Sequence, residues 1–132
     1  MIYLQKVLLV MYRSFVAQTL AKSMKNDLRF EFFLEHDYKN ASSVASTFKP
    51  HIAVVEVPEN KGRQTMEYIA VCTEIRKASP GCKLMLLCPE SSEQSKSVAI
   101  NAIRTGEIND FVFFDSSWEY FVSKLEALGS AF

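Results

Sequence analysis

"PHIAVVEVPE", residues Pro50 to Glu59, is the stretch on which the fold reading turns. Ile52-Ala53-Val54-Val55 is an uninterrupted apolar run with β-branched weight, the pattern of a strand covered on both faces. The run ends on a carboxylate, Glu56, and Pro58 starts a loop just beyond it. A strand of this kind delivers its last side chain to a rim, where chemistry is often done.

Similar runs recur on either side. Lys6-Val7-Leu8-Leu9-Val10 and Lys83-Leu84-Met85-Leu86-Leu87 read as buried strands, Asp110-Phe111-Val112-Phe113-Phe114 as a further one, and Arg29 to Leu34 as a partly alternating edge strand. Between them, apolar residues fall at helical spacing: Phe15, Val16, Leu20 and Met24; Ala41, Val44, Ala45 and Phe48, stopped by Pro50; Tyr68, Ile69, Cys72 and Ile75, ended around Ser79-Pro80-Gly81. A fourth stripe holds Val98, Ala99, Ala102 and Ile103 up to Gly106, and a last one Trp118, Phe121, Val122, Leu125 and Leu128. Strands and amphipathic helices alternate at spacings of about 25 residues, which predicts an open parallel sheet with helices on both faces.

Length and composition agree with one domain. The 132 residues suffice for a core without disulfides or metal, and an apolar fraction of 48% with ten Phe supplies it. Fifteen basic and fifteen acidic residues cancel, so the chain as a whole has no strong attraction to nucleic acid or an anionic membrane. Cys72, Cys82 and Cys88 form neither a metal-binding spacing nor a disulfide framework, which fits a reducing cytoplasm. The apolar run near the start is too short for a signal peptide core or a membrane span. Residues 1–128 are expected to form the domain and 129–132 a tail or the start of a linker.

In such sheets ligands bind beyond the carboxyl ends of the strands. Phosphate-binding loops there need glycines so that backbone amides approach the ligand, and the four glycines form no such motif. Nucleotide and flavin cofactors are therefore not expected.

Several segments fall in one recognisable order: Val7-Leu8-Leu9-Val10 before a two-residue rim, "KPHIAVVEV" at 49–57, "KLMLLCPES" at 83–91 and "GEINDFVFF" at 106–114. Arg13-Ser14 after the first strand and "KASPGCK" at 77–83 fit the same order. Over nearly its full length the chain resembles the receiver domain of bacterial response regulators, the fold of CheY. The resemblance implies a flavodoxin-like three-layer α/β/α sandwich, with a five-stranded parallel sheet in the order 2-1-3-4-5 and five helices. It also implies two-component signal transduction, a phosphorelay, and transcription regulation through an attached DNA-binding effector outside this chain.

A working receiver holds Mg²⁺ with two acids after strand one and phosphorylates an Asp at the end of strand three. A hydroxyl residue after strand four and a Lys after strand five contact the phosphoryl oxygens. Matched by position, the acids fall on Met11 and Tyr12, the phosphoacceptor on Glu56, the hydroxyl on Cys88 and the lysine on Phe114. All five depart from the pattern. A thioether and a phenol offer Mg²⁺ almost no hard oxygen ligand. Without metal and lysine, nothing neutralises the charge that develops on a transferring phosphoryl group. The expectation is a pseudo-receiver, not an enzyme, with no metal and no cofactor, its switch aromatic Phe111 fixed in apolar packing.

Cys88 with His36 or His51 is the alternative catalytic set. His51 precedes strand three, at the wrong end of the sheet, and His36 lies at its edge. Asp37, Glu56, Glu59 and Glu90 are rim acids of the solvated kind. An inactive receiver still has the surface of helix four, strand five and helix five, through which receivers dimerise or cover an effector. Ile100 and Tyr120 project from those two helices away from their apolar stripes, which makes them the candidate contact residues for a protein partner or homodimer. A second function class is a small-ligand sensor that uses an apolar rim of Met11, Tyr12, Cys88 and Phe114.

Overall fold

The computed structural model describes residues 4–12, 18–19, 22, 29–58, 65–89, 93–113 and 117–129. Five strands, β1 (Gln5–Val10), β2 (Phe30–Glu35), β3 (Ile52–Glu56), β4 (Lys83–Cys88) and β5 (Asp110–Phe113), form one parallel sheet in the order β2-β1-β3-β4-β5. This is the expected order. Four α-helices are described, Ala41–Phe48, Thr65–Ala78, Glu93–Thr105 and Trp118–Gly129, where five were expected. The missing one, over Phe15 to Met24, falls almost wholly outside the described residues. A short 3-10 turn, Tyr38–Asn40, follows β2.

Alternation along the strands splits the core in two. Leu8, Val10, Ala53, Val55, Leu84 and Leu86 pack under the helices Ala41–Phe48, Thr65–Ala78 and Glu93–Thr105. Val7, Leu9, Ile52, Val54, Met85 and Leu87 pack on the opposite face with Phe121, Leu125 and Leu128 of the last helix. Burying each large aliphatic side chain stabilises the fold by about 1.5–3 kcal/mol, and β1, β3 and β4 concentrate them because they lie inside the sheet. β2 and β5 are its edges, and β2 alternates buried and exposed residues accordingly.

The loops at the amino ends of the strands are closed by polar contacts. His51 Nδ1 accepts the Lys6 backbone N–H at 2.9 Å, while its own N–H donates to the Lys6 carbonyl at 2.9 Å. Asn109 Oδ1 accepts from the Leu84 N–H at 2.9 Å and from Arg76 at 2.6 Å, joining β4 to β5 ahead of the ladder. Two helices end in left-handed residues: Lys49 at φ 52°, directly before Pro50, and Gly106 at φ 84°. Among the described residues, no helix is long and apolar enough to cross a membrane.

The last helix is pinned to the start of β5 by Lys124, whose ammonium lies 2.8 Å from Asp110 Oδ2. Asp110 Oδ1 also accepts the Phe111 N–H at 2.8 Å, so the carboxylate is held on both oxygens. Burial opposes the Lys124 charge, but hydrogen bonds and Coulomb attraction to Asp110 and Tyr120 outweigh it and raise the lysine pKa. The sign follows: the pair's contribution is complete below the unfolded lysine's titration and is lost as pH rises through the folded one. Urea denaturation should show Lys124→Met less stable than the parent by about 1 kcal/mol at neutral pH, with the difference shrinking above the lysine pKa.

Candidate functional site

The strand order reverses direction between β1 and β3, so a crevice opens where their carboxyl ends diverge. Met11 and Tyr12 follow β1 there, and Glu56 ends β3. β1 and β3 run in register from Val7 opposite Ile52 to Val10 opposite Val55, which sets Met11 level with Glu56. Glu56 is itself still in the sheet, opposite Leu87, and the next residue's N–H donates to the Leu87 carbonyl at 2.8 Å. The ladder thus continues one step past the carboxylate, and Glu56 has no accessible surface at all.

Met11 and Tyr12, the two positions matched from the sequence to a receiver's metal-holding acids, behave differently from each other. Met11 is fully buried among the residues of the second core face. Tyr12 is 66% exposed, and its backbone is what the structure uses. The Tyr12 N–H donates at 3.1 Å to the hydroxyl of Tyr38, and that hydroxyl donates at 2.6 Å to the Glu56 carbonyl oxygen. One phenol therefore ties the ends of β1 and β3 together at the crevice. Its ring packs edge-on against the buried Tyr68, centroids 5.4 Å apart. Tyr38 is set in place by Asp37, which caps its turn by accepting the Lys39 N–H at 3.0 Å.

Tyr38 was not singled out from the sequence. Its partners lie 26 and 18 residues away, and only the cap signal of Asp37 marks the turn that presents it. A second unforeseen contact joins two buried hydroxyls, Thr65 Oγ1 and Ser95 Oγ, at 2.7 Å. It links the first turns of the two helices that follow β3 and β4, on the same side of the sheet as the crevice.

The catalytic alternative does not assemble. His36 is exposed beside β2, its Nδ1 3.0 Å from the Met11 carbonyl oxygen, whereas Cys88 ends β4 three strands away, about 14 Å across the sheet. His51 lies at the opposite end of the strands. Burial pushes the Cys88 thiol up to about 12, so it is protonated and a poor nucleophile at neutral pH. Burial also raises Cys82, to about 12 despite Arg76 nearby, and Cys72 still further. All three cysteines are free. Among the described residues, no cluster of three His, Cys, Asp or Glu has metal-holding geometry.

At the edge, Phe111 is half-buried, packed against the first core face with its ring 5.5 Å from that of Phe113. Phe114, the lysine position, lies outside the described residues, as do Glu59 and Glu90. Asp37 is exposed. Ile100 is 42% exposed and Tyr120 is 49% exposed, on the two helices that flank β5.

No protein-family model matches the chain, and no curated protein matches it. Solved structures do. An adenylate cyclase from Rhodopirellula baltica superposes with a TM-score of 0.76 at 18% identity, over 96% of this chain and 87% of its own. A response regulator from Thermotoga maritima gives 0.77 at 17%, over 96% and 98%. A LuxR-family DNA-binding response regulator from Staphylococcus aureus gives 0.73 at 14%, over 95% and 98%. These identities speak for the fold: the chain has the CheY-like, flavodoxin-type architecture of receiver domains, with its sheet in the order 2-1-3-4-5.

Proposed function

We propose that this chain is a phosphorylation-independent receiver domain, a signalling and protein-interaction module and not an enzyme. The observation that carries the proposal is the complete burial of Glu56 at the phosphoacceptor position. A phosphodonor arrives from solvent and must reach the carboxylate in line, which a side chain without accessible surface does not permit. The surroundings support the same reading. Met11 and Tyr12 replace the acid pair, Cys88 replaces the hydroxyl residue, and Phe114 stands where the lysine would. The Tyr38 hydroxyl bridges the two strand ends that a metal and its acids would otherwise organise.

In this proposal the domain works in the cytoplasm in one fixed signalling state. It dimerises through helix Glu93–Thr105, β5 and helix Trp118–Gly129, with Ile100 and Tyr120 as contact residues. It regulates a DNA-binding effector joined to it, a reading supported by its likeness in fold to the DNA-binding response regulator from Staphylococcus aureus. Phe111 is held against Phe113 and the core, which favours a locked aromatic over a mobile one. A small-ligand sensor draws less support, because Met11 and Cys88 are fully buried and leave a ligand nothing of themselves to touch.

Incubation with acetyl phosphate and Mg²⁺ should leave the intact mass unchanged; a stable phosphoryl adduct on Glu56 would overturn the proposal. Tyr38→Phe removes both hydroxyl bonds, an exposed one from the Tyr12 N–H and a part-buried one to the Glu56 carbonyl oxygen, and should cost about 1 kcal/mol in urea denaturation. Amide exchange at Tyr12 should accelerate in the same variant. Light scattering after size exclusion should report a dimer that Tyr120→Ala and Ile100→Ala weaken, and an unchanged mass in both would remove that surface from consideration.

A further inference from the structure

Ile100 does not stand alone on its helix. Lys96, Ile100 and Arg104 recur every fourth residue, and all three are exposed, so they form one ridge with an apolar centre and a positive charge at each end. The steps along this ridge are about 6 Å. A two-fold pair centred on Ile100 would set Lys96 of one copy against Arg104 of the other. Like charges facing each other at a contact are unfavourable, so the ridge calls for an acidic complement.

The chain contains one. On the opposite edge of the sheet, Glu31, Phe33 and Glu35 lie on the same face of β2, in steps of about 6.7 Å. They form one wall of a groove of about 550 Å³ whose other wall is the helix Ala41–Phe48. Phe33 is 42% exposed, and its ring lies 5.5 Å from that of Phe48, which together make an apolar floor. Glu35 spends one oxygen on the Asp37 N–H at 3.0 Å. Lys6 also lines the groove, but its ammonium is turned to the Phe48 carbonyl oxygen at 3.3 Å and lies over the Phe48 ring. Two carboxylates outnumber that single cation.

We infer that the ridge Lys96–Ile100–Arg104 of one copy docks into the Glu31–Phe33–Glu35 groove of a second copy, a head-to-tail contact. The inference takes Ile100 as a contact residue, as the proposed function does, but gives it a different counterpart: at Ile100 it is an alternative to the face-to-face dimer, and the charge reversals below separate the two. Charge sequence and spacing agree: positive, apolar, positive over about 12 Å on a helix, against negative, apolar, negative over about 13 Å on a strand. Both patterns are symmetric end to end, so either direction of the helix along the groove satisfies them. Because groove and ridge sit at different places on each copy, the contact does not close on itself in a pair and leaves one groove and one ridge open for further copies.

Sedimentation velocity of the intact chain tests this with paired charge reversals. Glu31→Lys with Glu35→Lys, and separately Lys96→Glu with Arg104→Glu, should each weaken self-association by about 100-fold or more. Mixing the two variants restores an acidic and a basic surface at every contact, so the mixture should associate where neither variant does. Recovery also shows that both variants are folded. Ile100→Ala should weaken association about tenfold, and raised salt should weaken it further. Self-association that survives both charge reversals but is lost in Tyr120→Ala would overturn the groove contact and leave the face-to-face dimer standing. A mixture that stays monomeric, or a parent chain that never associates, would overturn the inference as well, and the latter would also remove the dimer.

Discussion

Everything at the crevice follows from the way β3 is enclosed. It has hydrogen-bonded neighbours on both edges, β1 and β4, and packed layers over both faces. Most side chains on such a strand are shut off from water, and all five residues of β3 are buried. Glu56 lies one residue past the last pair with β1, Val10 opposite Val55, but pairing with β4 runs through it opposite Leu87 and one more bond follows at Val57. The pairing with β4 thus keeps the backbone of Glu56 in the sheet, and its side chain is fully buried there. An acid that would otherwise be presented at a rim is taken into the interior.

With the acid buried, the ends of β1 and β3 still need something to hold them at the point where their connections diverge. In a metal-binding crevice, charge does this: an ion draws several oxygens inward and fixes them. Here a neutral group does it. The Tyr38 hydroxyl accepts from one strand end and donates to the other, using both halves of its hydrogen-bonding capacity. A phenol bridge of this kind needs no ion, so it does not respond to the signals that load or unload a metal. The crevice is organised by this contact between neutral groups.

The fold was legible because its decisive segments are unambiguous. Val7–Val10, Ile52–Val55 and Leu84–Leu87 are apolar throughout, and only a doubly covered parallel sheet accommodates three such runs separated by helical stripes. The exposure of Ile100 and Tyr120 followed from helical geometry for the same reason: the apolar stripe fixes which residues turn away from it. What could not be read were the consequences of three-dimensional adjacency. Met11, Tyr12 and Cys88 are visible in the chain at the strand ends, yet the total burial of Glu56 appears only in the folded structure. Tyr38 shows the same limit, since nothing local distinguishes it from any tyrosine in a polar turn. Its role comes from two strand ends that pairing of β2 with β1 brings beside it. The acidic edge of β2 was legible as alternation, but its match to a basic ridge on another helix appears only when both faces are laid out.

If Met11, Tyr12 and Cys88 stand where the proposed reading places a working receiver's acids and hydroxyl, the exchange also has an energetic direction. Two carboxylates crowded at the end of β1 repel each other and Glu56 unless a cation sits among them, and a rim kept ready for chemistry carries that repulsion whenever the ion is absent. Met11 removes one such charge and contributes a fully buried apolar side chain in its place. Cys88 does likewise where a hydroxyl would need a partner, and its raised pKa keeps it neutral. On the proposed reading, a crevice without phosphoryl chemistry can be packed and bridged as the rest of the core is, and the usual opposition between stability and function at such a site falls away. What remains open to selection is the outside of the domain. That is where this chain keeps its exposed aromatic and aliphatic side chains, and where its charges, balanced overall, are sorted into an acidic edge and a basic ridge.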